Sequence, residues 1–325
     1  MYYPLSLQTI SFGIGGEPMI QKIKKEILSS DGIHTLRGFA LVPENPKGIF
    51  QIAHGMTEHI GRYEAFMRYL ADNGFIACGH DHLGHGTTAE SESEHGYFAK
   101  KDGHKLLCED VVLFGSAMKE DYPDLPLILL GHSMGSFIVR MAVRKHPNAC
   151  DALIIMGTSG KNPLAFPGLT VSRLIRNIRG EKFISKFVLG VAFSSYNKYM
   201  ESDHPVAWLT RDKEELKKHD EDPFCAFLFT VSAMCDLILL QSLCNKRDWF
   251  RSVPKDLPIL LISGENDPVG NYGKGVREVA RSLQRAGVKD VCLKLYPDMR
   301  HEILNELGKE TVWEDILRYL RLQNF

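Results

Sequence analysis

The chain has almost no net charge. Its 39 Lys and Arg residues face 40 Asp and Glu residues, which gives a formal net charge of −1 at pH 7. Proteins that bind DNA or RNA normally carry an excess of basic residues, which replace the cations around the phosphates. The composition therefore argues against a nucleic-acid partner.

Paired cysteine motifs are also missing. The seven cysteines are scattered along 325 residues, and no two of them form a C-x-x-C motif. An odd, unpatterned set of cysteines is typical of reduced thiols in the cytosol. The beginning, Met1-Tyr2-Tyr3-Pro4, lacks the basic and apolar regions of a secretory signal. We therefore expect a cytoplasmic protein.

No apolar run is long and clean enough to predict a membrane span. The most apolar stretch, residues 223–245, carries Asp236 in its middle. An aspartate at the centre of a membrane span costs ~3 kcal/mol. We therefore expect this stretch to form a buried helix.

Motifs for nucleotides and metals are absent as well. No P-loop occurs, and Gly13-Ile14-Gly15-Gly16 precedes every predicted strand, so that it indicates a loop. His80, His82 and His85 cluster on a Gly-rich segment, but they match neither an H-E-x-x-H nor a Cys/His pattern. We therefore predict no cofactor and no metal.

What the sequence does contain is an alternation of strands and helices. Short apolar or β-rich runs predict eight strands: 23–29, 35–42, 48–53, 75–79, 126–130, 152–156, 258–262 and 291–295. Helical patterns lie between most of them. This alternation predicts an α/β fold with an eight-stranded, mostly parallel sheet that is flanked by helices.

The alternation breaks once, between Met156 and Pro258. About a hundred residues of helical, charge-rich material separate these two strands, which is too long for a simple crossover. We interpret it as a helical cap inserted over one edge of the sheet. The predicted division is a core part at residues 1–157, a cap at 158–222, and a second core part at 223–325.

One motif predicts a nucleophile. Gly131-His132-Ser133-Met134-Gly135 follows a predicted strand and precedes a predicted helix. G-x-S-x-G alone is a weak signal, and a Gly-rich turn with a solvent-facing serine is the alternative. A strand before it and a helix after it are the context of a nucleophile elbow, in which a strained turn exposes the serine. We therefore predict that Ser133 is a catalytic nucleophile.

A serine nucleophile needs a base and an acid that orients the base. In such folds the order along the chain is serine, acid, histidine. Asp267 follows the seventh predicted strand, and His301 is the one histidine of thirteen that lies in the last strand-to-helix loop. We predict these two as acid and base, with Glu265 and Asp298 as alternative acids.

The tetrahedral intermediate needs an oxyanion hole, formed by two backbone N–H groups. One is expected from Met134, directly after the serine. The other is expected from Met56, because His54-Gly55 makes a tight turn directly after the third predicted strand. The alternative for this second segment is a simple glycine turn.

The combination of motifs resembles the α/β-hydrolases of the monoacylglycerol lipase and lysophospholipase group, which is serine-aminopeptidase-like. The shared segments are 54–63 (HGMTEHIGRY), 81–86 (DHLGHG), 131–135 (GHSMG) and the contexts of Asp267 and His301. Leu83 departs from the arginine that is common in the group. The resemblance runs from about Ile23 to the C-terminus.

The resemblance implies an α/β-hydrolase fold and a serine ester hydrolase that acts on monoacyl lipids, with Glu58 and Arg62 near the polar end of the substrate pocket. From the residues alone, Glu58 and Arg62 indicate a salt bridge at a helix end. Short esters, thioesters and N-terminal peptide bonds remain alternative substrates, and a catalytically inactive binding scaffold is the alternative outside enzymes.

The predicted cap contains one basic amphipathic stretch. Residues 169–190 mix large apolar side chains with five Arg and Lys, and Glu181 is the only acid. The apolar side chains include Leu169, Leu174, Ile175, Ile178, Phe183, Phe187 and Val188. Such a stretch can rest on an anionic membrane or micelle surface. The alternative is an ordinary cap helix with a buried apolar face and solvated charges.

Overall fold

The computed structural model of the chain describes residues 9–10, 20–200, 202–225 and 227–325, and for Thr9 and Ile10 it describes the backbone alone. The segment Gly13-Ile14-Gly15-Gly16, expected to be a loop, lies outside the described residues, as does the beginning at Met1.

All eight predicted strands are present, and a two-residue strand precedes them in the chain. Within the described residues the strands are β1 Thr9–Ile10, β2 Gln21–Leu28, β3 Thr35–Val42, β4 Gly48–Ala53, β5 Phe75–His80, β6 Leu127–His132, β7 Ala152–Met156, β8 Ile259–Gly264 and β9 Val291–Tyr296. They form one sheet in the order β1-β2-β3-β5-β4-β6-β7-β8-β9. The pairs from β5 through β4 to β9 are parallel, and the pairs from β1 to β3 and β3–β5 are antiparallel. The mostly parallel α/β sheet is confirmed.

Ten α-helices accompany the strands in the described part of the chain. They are α1 Glu64–Asp72, α2 Gly103–Asp121, α3 Met134–Lys145, α4 Ala165–Arg179, α5 Lys186–Phe193, α6 Lys213–Glu221, α7 Val231–Leu243, α8 Arg247–Ser252, α9 Lys274–Arg285 and α10 Lys309–Leu322.

The central strands are apolar because both of their faces are covered. Along β6, Leu127 and Leu129 pack into one core cluster with α2, α3 and α9, whereas Ile128 and Leu130 pack into the other with α1 and α10. Successive strand residues point to opposite faces of a sheet. A strand between two helical layers therefore needs an uninterrupted apolar run.

The inserted segment between β7 and β8 is helical, as expected for the cap. Its predicted cap part, residues 158–222, carries α4, α5 and α6. The predicted stretch 169–190 is divided where Gly180 takes a positive φ of 89°. That backbone conformation suits glycine and ends the helix. The division of the chain at residues 157 and 222 stays a prediction.

The apolar segment after the cap is shorter as a helix than its composition suggests. It was expected to be helical from Pro223, but α7 begins at Val231, where the Thr230 hydroxyl accepts a hydrogen bond from the Ala233 N–H. The buried Asp236 pairs with His104 of α2, with 2.7 Å between Oδ1 and Nδ1. Among the described residues, no helix has both the length and the apolar character that a membrane crossing requires.

Candidate active site

Ser133 occupies the turn between β6 and α3 with a strained backbone. Its φ of 53° and ψ of −118° lie in a region that L-residues rarely adopt. The strand holds it on one side, since the Ser133 N–H donates to the Met156 carbonyl of β7 over 3.0 Å. The residue stays partly exposed although its neighbours on either side are buried. This turn has the conformation of the predicted nucleophile elbow.

The two glycines of the motif allow the close approach that this turn needs. A Cβ on Gly131 would lie 2.3 Å from the Gly135 carbonyl oxygen, and one on Gly135 would lie 2.0 Å from the Ala53 carbonyl oxygen. Neither contact is possible for a larger residue without moving the backbone. The spacing G-x-S-x-G therefore follows from the packing of β4 and β6 against the beginning of α3.

Asp267 and His301 meet at the carboxyl edge of the sheet. Asp267 lies in the turn after β8, and His301 lies in the loop after β9; Nδ1 of His301 is 3.0 Å from Oδ2 of Asp267. The carboxylate also accepts hydrogen bonds from the Val269 N–H at 2.8 Å and the Ser263 hydroxyl at 3.1 Å. Both ionisable side chains are buried, so the pair is held in one orientation.

The electrostatics of this pair favour a charged carboxylate. Burial by itself raises the pKa of Asp267. The adjacent His301 and the two hydrogen bonds lower this pKa by more than burial raises it, so the net shift is downward. Burial lowers the pKa of His301, and Asp267 more than compensates, so its pKa is raised. The alternative acids Glu265 and Asp298 are both exposed. The structure thus brings Asp267, and neither alternative acid, against His301.

The second ring nitrogen of His301 is available for a proton transfer. Nε2 is buried, and it has no hydrogen-bond partner within the described part of the chain. The imidazole lies between the His132 ring, with centroids 4.6 Å apart, and the Trp208 ring of the inserted segment, with centroids 5.0 Å apart. A Cβ on Gly157, directly after β7, would lie 3.0 Å from Cε1 of His301. His301 therefore lies at the corner where β6 and β7 end, beside the turn that carries Ser133.

The loop with Met56 packs directly against the serine. A Cβ on Gly55 would lie 3.2 Å from Cβ of Ser133. The Gly55 N–H donates to the Glu58 carboxylate, and the Thr57 N–H donates to Nε2 of His85 over 3.3 Å. The N–H groups of Met56 and Met134 donate to no acceptor among the described residues. The two donors that the sequence predicts are therefore unused within the described residues.

Buried histidines hold this loop. The His82 N–H donates to Nε2 of His54 over 3.0 Å, and Nε2 of His82 lies 3.2 Å from the His54 carbonyl oxygen. His85 binds the loop through Thr57, as described above. Of the clustered residues His80, His82 and His85, the last two therefore connect two loops.

A buried charge network beside the serine was only partly foreseen. Arg62 binds Glu302 with two hydrogen bonds of 2.6 and 2.7 Å, and its guanidinium also lies 3.2 Å from Glu58. The Tyr63 hydroxyl donates to Glu58 over 2.8 Å and lies 2.8 Å from Nδ1 of His132. The expected Glu58–Arg62 salt bridge is present. The role of Glu302 was missed, and its position directly after His301 was the available signal.

The inserted segment is tied to the histidine loop. The His301 N–H donates to the Trp208 carbonyl over 3.3 Å, and the Glu302 N–H donates to the Leu209 carbonyl over 2.8 Å. Glu306 accepts from the Arg211 N–H at 3.0 and 3.1 Å. These bonds fix the part of the cap around Trp208 against the loop that carries His301.

Comparison with known proteins agrees with this geometry. Residues 44–308 match the model of the Hydrolase_4 family, described as serine aminopeptidase, S33. The chain is 27% identical over 290 residues to the human monoglyceride lipase, covering 88% of this chain and 85% of that protein. It is 27% identical over 281 residues to a monoacylglycerol lipase of Mycolicibacterium smegmatis, covering 85% of this chain and 89% of that protein.

Among solved structures, a thermostable carboxyl esterase from Bacillus coagulans in complex with glycerol is 29% identical, with a TM-score of 0.86 over 98% of this chain and 99% of that chain. The fold, the family model and these relatives lead to the same assignment. The chain belongs to the Hydrolase_4 family of serine aminopeptidase-like (S33) α/β-hydrolases and is a serine ester hydrolase.

Proposed function

We propose that the protein hydrolyses monoacyl lipid esters through an acyl-enzyme, with Ser133 as nucleophile, His301 as base and Asp267 as the acid that orients the base. The observation that carries this proposal is the buried Asp267–His301 pair at 3.0 Å, with the free Nε2 of His301 beside the strained serine turn. Strain, orientation and an unpartnered base are the parts that an activated serine requires.

The chemistry divides into two half-reactions. Nε2 of His301 takes the proton of the Ser133 hydroxyl while Oγ attacks the ester carbonyl carbon, and a tetrahedral intermediate forms. When that intermediate collapses, the imidazolium gives its proton to the leaving alcohol. Water then repeats the sequence on the acyl-serine and releases the fatty acid. Asp267 stabilises the imidazolium and fixes Nδ1–H toward itself throughout.

The negative charge on the carbonyl oxygen needs donors that are already in place. The N–H groups of Met56 and Met134 fill this role in the proposal, since both lie beside Ser133 and neither donates elsewhere in the described structure. The Met134 N–H also lies at the N-terminus of α3, where the helix dipole favours negative charge. Such preorganised donors are typically worth about 3–4 kcal/mol each in the transition state.

The outer surface of the cap supports a lipid substrate. Phe166, Ile178 and Phe187 are 81%, 70% and 65% exposed, although they are large apolar side chains on α4 and α5. Five more exposed apolar side chains lie on the same segment: Leu164, Val171, Leu174, Ile184 and Val191. Large apolar side chains exposed in such number along one segment are typical of a surface that binds a membrane, a ligand or a partner.

The cations of the same segment fit an anionic interface. Arg173, Arg179, Lys182 and Lys186 are exposed among these apolar side chains. An amphipathic surface with apolar groups and peripheral cations binds at the boundary between headgroups and acyl chains. Ile175 and Val188 pack inward against the core, so the segment has an anchored face and an outer face. We propose transient contact between this outer face and a membrane or micelle that presents the substrate.

Aminopeptidase activity is disfavoured by the surroundings of Glu58. Recognition of a peptide N-terminus requires an acidic group that is free to bind an ammonium. Glu58 is buried, and its carboxylate already binds Gly55, Tyr63 and Arg62. This saturation favours ester substrates.

The free state of all seven cysteines supports a reducing, cytoplasmic location.

A substrate panel tests the proposal. The purified chain is given monoacylglycerols from acetyl to oleoyl, lysophospholipids, short nitrophenyl esters and aminoacyl amides, with Ser133→Ala as the blank. We expect kcat/KM to rise from acetyl to long-chain monoacylglycerols, since each buried CH₂ contributes ~0.8 kcal/mol. A preference for acetyl or aminoacyl substrates would contradict the lipid assignment and leave the serine ester hydrolase intact.

A further inference from the structure

Three metal-ligating side chains meet where the chain returns from the cap. They are His59, Asp222 and Cys225, and their ligand atoms all lie within 4.8 Å of one another. Nε2 of His59 is 2.8 Å from Oδ2 of Asp222. In the parts of the chain that the structure describes, no other three such side chains have ligand atoms within 4.8 Å of one another. The residues come from two segments more than 160 positions apart, so no sequence spacing reveals them.

The local backbone places two of these ligands on one side of a turn. The Cys225 N–H donates to the Asp222 carbonyl over 3.0 Å, and the Phe224 N–H donates to Oδ1 of Asp222 over 2.9 Å. Oδ2 is left to face His59. His59 itself stands directly before the short 3-10 turn Ile60–Tyr63. Apart from the contact between Nε2 of His59 and Oδ2 of Asp222, the bonds that position these residues do not involve the atoms that would bind the metal.

The thiol of Cys225 lacks a partner. The residue is 4% exposed, and no hydrogen bond to its Sγ occurs within the described residues. Asp222 and His59 are partly exposed, which leaves a path from solvent to the buried sulfur. A buried, unpartnered sulfur beside an imidazole and a carboxylate is the donor set of a zinc site that retains an open position.

We propose that His59, Asp222 and Cys225 bind a zinc ion, with water in the fourth position. Ligand atoms around tetrahedral zinc lie roughly 3.2–3.6 Å apart, given bond lengths of about 2.0–2.3 Å. The three atoms reach that geometry through side-chain movements of an ångström or so. Sulfur and imidazole donors select zinc over magnesium or calcium, which take oxygen ligands.

Binding changes the protonation of the ligands. The Cys225 thiol releases its proton to solvent and binds as thiolate, and His59 binds through Nε2 with its remaining proton on Nδ1. Because zinc displaces the thiol proton, affinity falls as the pH is lowered. The ion joins residues 222–225 to the loop of Glu58, which binds Gly55. Zinc binding at this site does not depend on the proposed ester hydrolysis.

Titration of the full chain without a histidine tag tests the site. Calorimetry with zinc chloride is expected to show one ion per chain, while magnesium chloride gives no binding. Conservative variants Cys225→Ser, Asp222→Asn and His59→Gln are each expected to weaken zinc binding at least about 100-fold. Cobalt in place of zinc is expected to give a thiolate-to-cobalt charge-transfer band in the wild type and none in Cys225→Ser.

Two matched controls separate this site from incidental binding. His204 and Asp220 form a similar pair at 2.8 Å on the surface, and Cys292 is an exposed thiol near Asp290. His204→Gln and Cys292→Ser are expected to bind zinc like the wild type. The proposal is overturned if the wild type binds no zinc, if Cys225→Ser retains the affinity and the cobalt band, or if Cys292→Ser loses them. Circular dichroism of the metal-free variants verifies folding, and His59→Gln keeps the test valid if Cys225→Ser does not fold.

Discussion

Two regions of this molecule differ in the side chains that they bury and expose. At the carboxyl edge of the sheet, the buried Asp267 pairs with His301, and the buried Glu58 and Glu302 both bind Arg62. On the outer surface of α4 and α5, large apolar side chains such as Phe166 are exposed. Burying polar groups costs free energy unless each group is paired. Exposing large apolar side chains to water is unfavourable unless the surface binds an apolar partner. The contrast separates the proposed catalytic centre from the proposed contact surface.

The comparison also explains why the two regions tolerate change differently. A group in the buried network is held by several neighbours, so its loss leaves partners unpaired inside the protein. An outward apolar side chain on the cap has few neighbours to lose. Substitutions in the first region should therefore affect catalysis and stability together, and substitutions in the second should affect contact alone.

The largest effect is expected at Asp267, the proposed acid. Asp267→Asn removes the charge that stabilises the His301 imidazolium and favours the wrong tautomer, so kcat is expected to fall about 10⁴-fold with the fold intact. The exposed Glu265→Gln is the matched control and should retain wild-type turnover. Full activity in Asp267→Asn together with loss in Glu265→Gln or Asp298→Asn would reassign the acid.

A smaller loss is expected at the oxyanion hole. Met134→Pro removes one backbone donor and is expected to lower kcat about 10²- to 10³-fold. Met134→Ala keeps the N–H and should retain most of the activity, which is measured on the same ester with both proteins. A folded Met134→Pro variant with normal turnover would refute the role of this N–H.

Acid should weaken the buried edge of the sheet before it affects the cap surface. Burial lowers the pKa of His80 to about 3 and that of His85 to about 4, and it lowers the pKa of His54 and His82 well below the usual range. The unfolded chain binds more protons, so stability is complete above pH ~6.5 and is lost as the pH falls toward these values. His34 and His301, whose pKa values are raised, act in the opposite direction but are fewer.

The contribution of one such imidazole can be isolated at His80, which is fully buried and packs on Phe114. In His80→Leu, the loss of unfolding free energy between pH 6.5 and 5.5 is expected to be about 1 kcal/mol smaller than in the wild type, since a full proton difference is worth about 1.4 kcal/mol per pH unit. Urea unfolding at both pH values measures it. An identical pH dependence in both proteins would contradict the assignment.

The smallest effect on stability is expected on the cap. Replacing Phe166, Leu174 and Ile178 together with Ser should change the free energy of unfolding by less than about 0.5 kcal/mol per site, because these side chains are exposed. Binding to anionic vesicles and hydrolysis of long-chain esters should fall, while acetate hydrolysis is unchanged. The matched control replaces exposed Leu28, Ile33 and Leu322 with Ser and should retain vesicle binding. Equal vesicle binding by both triple variants would contradict the proposed contact between the cap and a membrane.

The sheet could be predicted because its signals are local. Every central strand is a short apolar run, and the glycines around Ser133 are needed for contacts within the elbow or with the neighbouring strand. The pairing of Asp267 with His301 could be predicted because each residue lies just beyond a recognisable strand, and parallel strands end at one edge of the sheet. Their catalytic roles stay a prediction.

The features that escaped prediction depend on residues far apart in the chain or on which way a surface faces. Arg62 and Glu302 are 240 positions apart, and His59 and Asp222 are 163 apart, so no pattern pairs them. The periodicity of residues 169–190 revealed an amphipathic stretch but not that Leu174 and Ile178 point outward. Gly180 divides the stretch, and only the packing of Ile175 and Val188 shows which face is anchored.

The most direct test of the central claim is covalent labelling of the nucleophile. The wild type is treated with a fluorophosphonate, which phosphonylates an activated serine, and its intact mass and tryptic map are recorded. The account predicts one adduct per chain, located on Ser133, and none in Ser133→Ala or in wild type denatured beforehand. A fully active protein that stays unlabelled, or an adduct that persists in Ser133→Ala, would contradict it.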